Sequence, residues 1–241
     1  MNNFLSSKVV PCVVCLGMFS PLLVSEASAA DHGAHEHVLA IDQEPNHHLI
    51  LTSDSIRVFE AKLPPKAASF WHLHEKDSVL LCLDGANVPS EELGKEFVQR
   101  PPIVSGMIYY KPYAKNPFIH RIRNMSETAF RMLDIEILKS PTPAISLAPA
   151  SKFLTIVIDN ERVRVSKIEL KVGESTDNID FQGPHLLISM SDGNFAIKSQ
   201  NQNEINVNAP RGHLIMEENK RLSSIQNSGD NVIELVMVEV K

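Results

Sequence analysis

Aromatic residues are scarce in this chain, 6% of 241 residues with one tryptophan, and cysteine is limited to three. A fold built on disulfides is excluded, because Cys12 and Cys15 fall inside an N-terminal apolar stretch and leave Cys82 alone beyond it. Cys82 itself sits in the run Val79-Leu80-Leu81-Cys82-Leu83 and reads as a buried, inert thiol. Positive charge is also short: 23 Lys+Arg against 29 Asp+Glu give a net charge of −6, and no basic run of five or more occurs. Nothing here would neutralise a phosphate backbone or hold the chain electrostatically on a membrane. Past residue 24 no apolar run approaches the length of a membrane span. Helical periodicity is nearly absent too, and the best candidate is the short stretch Ser90 to Phe97, with Ser90 as N-cap and Glu91 and Glu92 in the first turn.

What is present is an ordinary globular composition, 43% hydrophobic and 22% charged, long enough for one large domain or two small ones. Residues 1–29 have the form of a signal peptide. A short polar start with Lys8 is followed by an apolar stretch from Val9 to Val24, interrupted by Pro11 and Pro21, and then by the small-residue pattern Ala27-x-Ala29. The expectation is an exported protein, periplasmic or secreted, with no stable membrane insertion after cleavage. Residues 30–45 read as a His-rich, hydrated tail carrying His32, His35 and His37. Cleavage after Ala29 would leave Ala30-Asp31-His32 at the terminus, a set of nitrogens suited to square-planar Cu(II) or Ni(II).

From His48 onward strand signals dominate. Leu133, Ile135 and Ile137 alternate with Asp134 and Glu136, the period-two pattern of a half-buried strand, and Leu154, Ile156 and Ile158 do the same. The chain also repeats itself. Ser55-Ile56-Arg57-Val58 resembles Arg162-Val163-Arg164-Val165, and Leu81-Cys82-Leu83-Asp84-Gly85 parallels Ser189-Met190-Ser191-Asp192-Gly193. His120-Arg121-Ile122-Arg123-Asn124 likewise parallels Ser223-Ser224-Ile225-Gln226-Asn227. The Pro-containing, uncharged segment 140–151 separates the copies as a linker. Two all-β units follow, 46–139 and 152–241, each a sandwich or barrel.

Only the first copy carries metal-ligand chemistry. His72 and His74 stand two apart in Trp71-His72-Leu73-His74, so on a strand both imidazoles point to one face. His120 lies on another expected strand. Three neutral imidazoles suit Fe(II), Zn, Ni or Cu better than the oxygen-seeking Mg or Ca. Tyr109 and Tyr110 occupy the strand before the His120 loop, where one phenol should face the interior. Tyr110 is taken as the candidate catalytic residue, although parity alone does not choose between them. Arg121 and Arg123 alternate against His120 and should face away from it, as Trp71 does against His72.

These residues resemble the two motifs of the cupin superfamily. His72, His74 and Gly85 fall at the spacing of the first motif, with Lys66 where it has its leading glycine and Ser78 where it has its acidic ligand. Gly106, Pro112, His120 and Asn124 match the second, with Ala114 in place of its second glycine and a loop three residues longer before His120. The resemblance implies an all-β fold of two tandem cupin (double-stranded β-helix, jelly-roll) barrels, a bicupin whose second half has lost its ligands. There the positions of the His-x-His pair fall within Ile179-Asp180-Phe181-Gln182, and that of His120 is Ser223. It further implies one divalent metal ion on His72, His74 and His120, with Fe first and Zn, Ni, Cu or Mn as alternatives. A bent strand could bring Glu75 or Asp77 into the place Ser78 leaves empty. The activity implied is a dioxygenase-like oxidoreduction of a small organic molecule. The alternative is a non-catalytic protein that holds a metal or small ligand. No nucleic-acid partner is expected, and a homodimer is compatible with the paired barrels.

Overall fold

The computed structural model describes residues 37–139, 151–199, 203–218 and 221–241. The segment read as a signal peptide, the His32 and His35 portion of the tail and most of the linker lie outside the described residues. Nine strands form the first half: β1 (Leu39–Ala40), β2 (His47–Thr52), β3 (Ile56–Leu63), β4 (His72–His74), β5 (Ser78–Asp84), β6 (Ser90–Glu92), β7 (Ile108–Lys111), β8 (Phe118–Ile122) and β9 (Phe130–Ile137). The second half contains β10 (Leu154–Asp159), β11 (Val163–Leu170), β12 (Ile179–Phe181), β13 (His185–Ser189), β14 (Gly193–Ser199), β15 (Ile205–Ala209), β16 (Leu214–Glu217), β17 (Arg221–Asn227) and β18 (Ile233–Val240). Among the described residues the only helical element is a 3-10 turn at Ile41–Gln43, and no helix is long and apolar enough to cross a membrane.

Each half is a two-sheet β sandwich; the order of the five-stranded sheet repeats, and the four-stranded sheets share three strands and differ in the edge strand added. The five-stranded sheets run β2-β3-β9-β5-β7 and β10-β11-β18-β13-β16; the four-stranded sheets run β1-β4-β8-β6 and β12-β17-β14-β15. Even the irregularities coincide, since the β2–β3 register shifts between Leu49 and Leu51 and the β10–β11 register shifts between Ile156 and Ile158. Lys66 has φ 62°, the left-handed conformation that glycine adopts without a Cβ penalty, and Gly173 (φ 78°) stands three residues after Leu170 just as Lys66 follows Leu63. The turn demands that backbone, and only the second copy fills it with glycine.

Asn124 and Asn227 do the same work in the two copies. The Nδ2 of Asn124 lies 2.7–3.1 Å from the carbonyls of Leu63, Pro64 and Thr128, and its Oδ1 accepts from Ser126 N–H at 3.0 Å. Asn227 donates to Leu170 O and Asn231 O and accepts from Gly229 N–H. Each ties the turn before the last strand to the end of the strand that pairs with it. Asn124→Ala should leave these buried backbone groups unmet and cost about 1–3 kcal/mol, read as a lower urea midpoint at unchanged slope.

The largest apolar core lies between the halves. Ile56 and Val58 of β3, Val79, Leu81 and Leu83 of β5, and Leu133, Ile135 and Ile137 of β9 pack against Val163 and Val165, Leu186 and Ile188, and Val236, Val238 and Val240 of the second half. The two five-stranded sheets therefore meet face to face. Polar contacts border the seam: Arg162 Nε lies 3.0 Å from Asp77 Oδ2, and Ser55 Oγ donates to Glu218 Oε2 at 2.5 Å.

This arrangement inverts the half-buried reading of β9. Its apolar side faces the other half, and its acidic side, Asp134 and Glu136, faces the interior of its own barrel; both are buried. Ser90–Phe97 is not a helix. Ser90–Glu92 is a strand that pairs antiparallel with β8, placing Glu92 opposite His120, and the turn after it contains Gly94. So short a helix is marginal on its own, and the ladder to β8 wins.

Candidate metal centre

The first barrel gives up part of its core to polar groups. Its apolar cluster is the smaller one around Leu63, Cys82, Ile122, Phe130 and Met132, whereas the second barrel is filled by residues including Ile168, Phe181, Leu187, Phe195 and Met237. The difference is a set of histidines. His72 and His74 on β4 are both buried, as strand parity requires, and the β4–β8 ladder sets His120 directly opposite His72. The ring centroids lie 5.0 Å (His72–His74), 4.5 Å (His72–His120) and 4.9 Å (His74–His120) apart. The fold thus brings the three expected residues together.

A fourth imidazole joins them. His47, the first residue of β2, has its ring 4.5 Å from that of His72 and 6.1 Å from that of His74. One ligand-type nitrogen from each of His47, His72 and His74 falls within 4.8 Å of the others, close enough for a single ion. His120 is outside that set of three but adjoins it, its Nε2 2.9 Å from the Nε2 of His74.

Each ring has an oxygen at its Nδ1. Glu44 Oε2 is 2.7 Å from His47 Nδ1, the carbonyl of Phe70 is 2.9 Å from His72 Nδ1, and Ser90 Oγ is 2.8 Å from His120 Nδ1. Asp134 Oδ2 lies 3.1 Å from His74 Nδ1, bent away from the line of a hydrogen bond. Carboxylates and carbonyls cannot donate, so they favour a proton on Nδ1 and leave Nε2 as a lone pair, the arrangement seen behind metal-bound histidines. Burial, reinforced by the neighbouring His47 and His74, pushes His72 down to about 3 and holds His120 well below the ordinary histidine range. Both shifts favour the neutral ring. Burial opposes ionisation of Glu44, but hydrogen bonds from His47, Asn46 and Phe70 N–H outweigh it and hold the carboxyl at about 2.

The residues fit a metal ion. His72 Nε2 is buried with no hydrogen-bond partner, and such a group is costly unless something satisfies it. A divalent cation among lone pairs, with carboxylates one layer behind, does so. Ser78 faces inward as parity requires, but its hydroxyl donates to Lys76 O at 3.1 Å. Glu75 is exposed, and Asp77 is turned to the seam, where Tyr110 and Ala114 N–H donate to it. Neither replaces the missing acid. The acids behind the histidine rings are Glu44 and Asp134, with Glu92 opposite His120 on the cavity wall, and the sequence singles out none of them as a ligand.

Tyr110 does not reach this centre. The β5–β7 register pairs it with Val79 on the seam side, where its hydroxyl donates to Asp77 Oδ2 at 3.0 Å and burial, with Asp77, pushes the phenol up to about 12. Tyr109, its neighbour, is the one that turns inward, and it lines a cavity of about 560 Å³ whose floor includes His47, His74, His120 and Asp134. Apolar side chains such as Val88, Ile103, Met107 and Phe118 supply much of the wall. Tyr113 and Phe118 stack on each other, with Tyr113 5.0 Å from His74 and Phe118 4.7 Å from His120. Trp71 points away from His72 and lies under the guanidinium of Arg121, whose central carbon is 4.6 Å from the indole centroid.

In the second barrel the register puts Ile179 opposite Ser223, as His72 stands opposite His120, and Phe181 falls where His74 does. Met237 pairs with Ser166 and Leu187, as Asp134 pairs with Phe59 and Leu80. Apolar side chains thus occupy the positions of His72, His74 and Asp134, and a serine that of His120.

No family model matches the sequence, and no curated protein matches it. Solved structures do. AerE from Microcystis aeruginosa superposes with a TM-score of 0.61 at 14% identity, over 83% of this chain and 95% of that one. YhaK from Escherichia coli gives 0.54 at 15% identity over 79% and 87%. Salicylate 1,2-dioxygenase from Pseudaminobacter salicylatoxidans gives 0.54 at 10% identity over 77% and 71%. The cupin 2 conserved barrel domain protein from Leptotrichia buccalis gives 0.50 at 10% identity over 81% and 88%, and with the repeated sheets these likenesses define the fold as cupin. It is the tandem form, a bicupin.

Proposed function

We propose that this protein is an exported metal-dependent bicupin that oxidises a small organic molecule with dioxygen, with His72, His74 and His120 holding one divalent ion, iron first among the candidates. The observation that carries this reading is the convergence of those imidazoles, His74 and His120 on the wall of a largely apolar cavity and His72 buried beside them with its Nε2 unpartnered. An ion there would supply Lewis acidity and, as iron, the activation of dioxygen. The chain's own residues do the rest: the cavity wall excludes water, Asp134 holds the orientation of His74, and the Tyr109 hydroxyl, now donating to Met107 Sδ at 3.2 Å, is free to turn to a bound molecule. Salicylate 1,2-dioxygenase, one of the structures of like fold, is also solved as a mutant in complex with gentisate, which supports a small-molecule occupant.

Metal analysis of tag-free protein, followed by oxygen uptake against diketones, thiols and catechols, tests the proposal. Stoichiometric iron with uptake supports it; stoichiometric zinc without uptake turns the reading to metal or ligand binding alone. Given turnover, Tyr109→Phe is expected to lower the rate by about a hundredfold, the lower end for positioned proton donors, and Tyr110→Phe to leave it unchanged. The reverse pattern would return the role to Tyr110.

A further inference from the structure

We propose that His47 is itself a metal ligand, a fourth imidazole in the place left by the acidic ligand missing at Ser78. The inference rests on the reading that this site binds an ion. It arises from an element outside both sequence motifs: β2 pairs with β3, and the pairing of His47 with Ala61 delivers its ring beside that of His72. The group of nitrogens close enough for one ion includes His47 with His72 and His74.

Glu44 is built to hold this ring. Its carboxylate is 1% exposed and receives donors from four places: His47 Nδ1 at 2.7 Å, Asn46 N at 2.9 Å, Asn46 Nδ2 at 3.0 Å and Phe70 N at 3.1 Å. A carboxylate so fixed cannot turn to the ion, and it leaves Nε2 of His47 as the available nitrogen. The Phe70 amide also couples it to the segment whose carbonyl holds His72, so one carboxylate positions His47 directly and His72 through the backbone. Ser78, at the position of the missing acid, is itself engaged at Lys76 O. Such a donor set is four neutral imidazoles, with the negative charge of Glu44 and Asp134 one layer out. Nitrogen-seeking ions such as Cu, Ni, Zn and Fe should then bind far more tightly than Mn or Mg.

The test loads the mature protein, carrying His32→Ala to remove the Cu(II)-suited terminus, with Cu(II) as a probe and counts coupled imidazole nitrogens by pulsed EPR. Four coupled imidazoles are expected in the otherwise unsubstituted protein, and three in His47→Gln. Competition with a chromophoric chelator should show affinity falling by roughly 10–100-fold for Glu44→Gln, as for other groups that orient ligands, and by more for His47→Gln. Three imidazoles in the unsubstituted protein, or His47→Gln with unchanged spectrum and affinity, would overturn the inference. That count needs no variant to fold. His72→Ala separates the two readings: loss of the ion there with an indifferent His47 rejects this inference alone, whereas failure of the unsubstituted protein to bind any ion rejects both.

Discussion

Replacing His72 with alanine is expected to abolish stoichiometric metal binding and with it any turnover. His72 is fully buried at the middle of the group, within 5.0 Å ring-to-ring of His47, His74 and His120 alike. No other imidazole touches all the rest so closely. Groups that only orient a ligand already cost roughly 10–100-fold in affinity when removed, so losing a central ligand should cost at least roughly 10²-fold. The consequence is measurable without a substrate. An ion at about a hundred times its dissociation constant stabilises the folded state by about 2.7 kcal/mol, which for a chain of this size raises the melting temperature by roughly 5–11 °C. The unsubstituted protein should show that rise on adding Fe(II), Zn or Ni, and lose it to chelator. His72→Ala should melt at one temperature with or without the ion. An ion-dependent shift that survives the substitution would place the binding elsewhere.

The sequence makes His72, His74 and His120 legible because strand parity and motif spacing act on neighbours, and neighbouring residues need no knowledge of the rest of the fold. His47 and Glu44 escape such reasoning. They precede the motifs, and only the pairing of β2 with β3 and the contact of Glu44 with the Phe70 amide bring them in. The local trace was Glu44 three residues before His47 at the start of a strand, a pattern common on surfaces. Asp134 was in view but misread. Period-two alternation tells that two faces of a strand differ, not which one is interior. In a single sandwich the acidic face would meet solvent, but here the apolar faces of β5 and β9 are taken by the other half. The acidic face is left for the barrel's inside, where Glu136 meets Arg57 at 2.6 Å and Asp134 meets His74. Glu239, buried beside Arg164 in the second copy, keeps the same arrangement and was the one hint in the repeat. The tyrosines fail for a related reason, since the choice between Tyr109 and Tyr110 follows from whether Leu80 or Val79 faces inward.

Ile135→Asp should unfold both barrels at once. Ile135 is fully buried in the seam, pairs with Val58 on one side and Val79 on the other, and belongs to the core shared with β11, β13 and β18. A carboxylate there has no partner, and an unpaired buried charge falls among the few changes that exceed about 4–5 kcal/mol. Against a total stability of about 5–15 kcal/mol, that leaves little or no folded protein. Ile135→Val, which keeps the seam apolar, should cost only about 0.5–1.5 kcal/mol. The stronger claim is that the loss is shared. Trp71, the one tryptophan, lies in the first half, while strand content is spread over both. Urea unfolding followed by Trp71 fluorescence and by far-ultraviolet circular dichroism should therefore give one coincident transition in the unsubstituted protein. Val238→Asp on β18, in the second half, should destroy the Trp71 signal as thoroughly as Ile135→Asp does. If instead Val238→Asp leaves Trp71 in its native environment, the first barrel stands without the second. The ligand-free copy would then be an appendage rather than half of the core on which the metal-bearing copy is built.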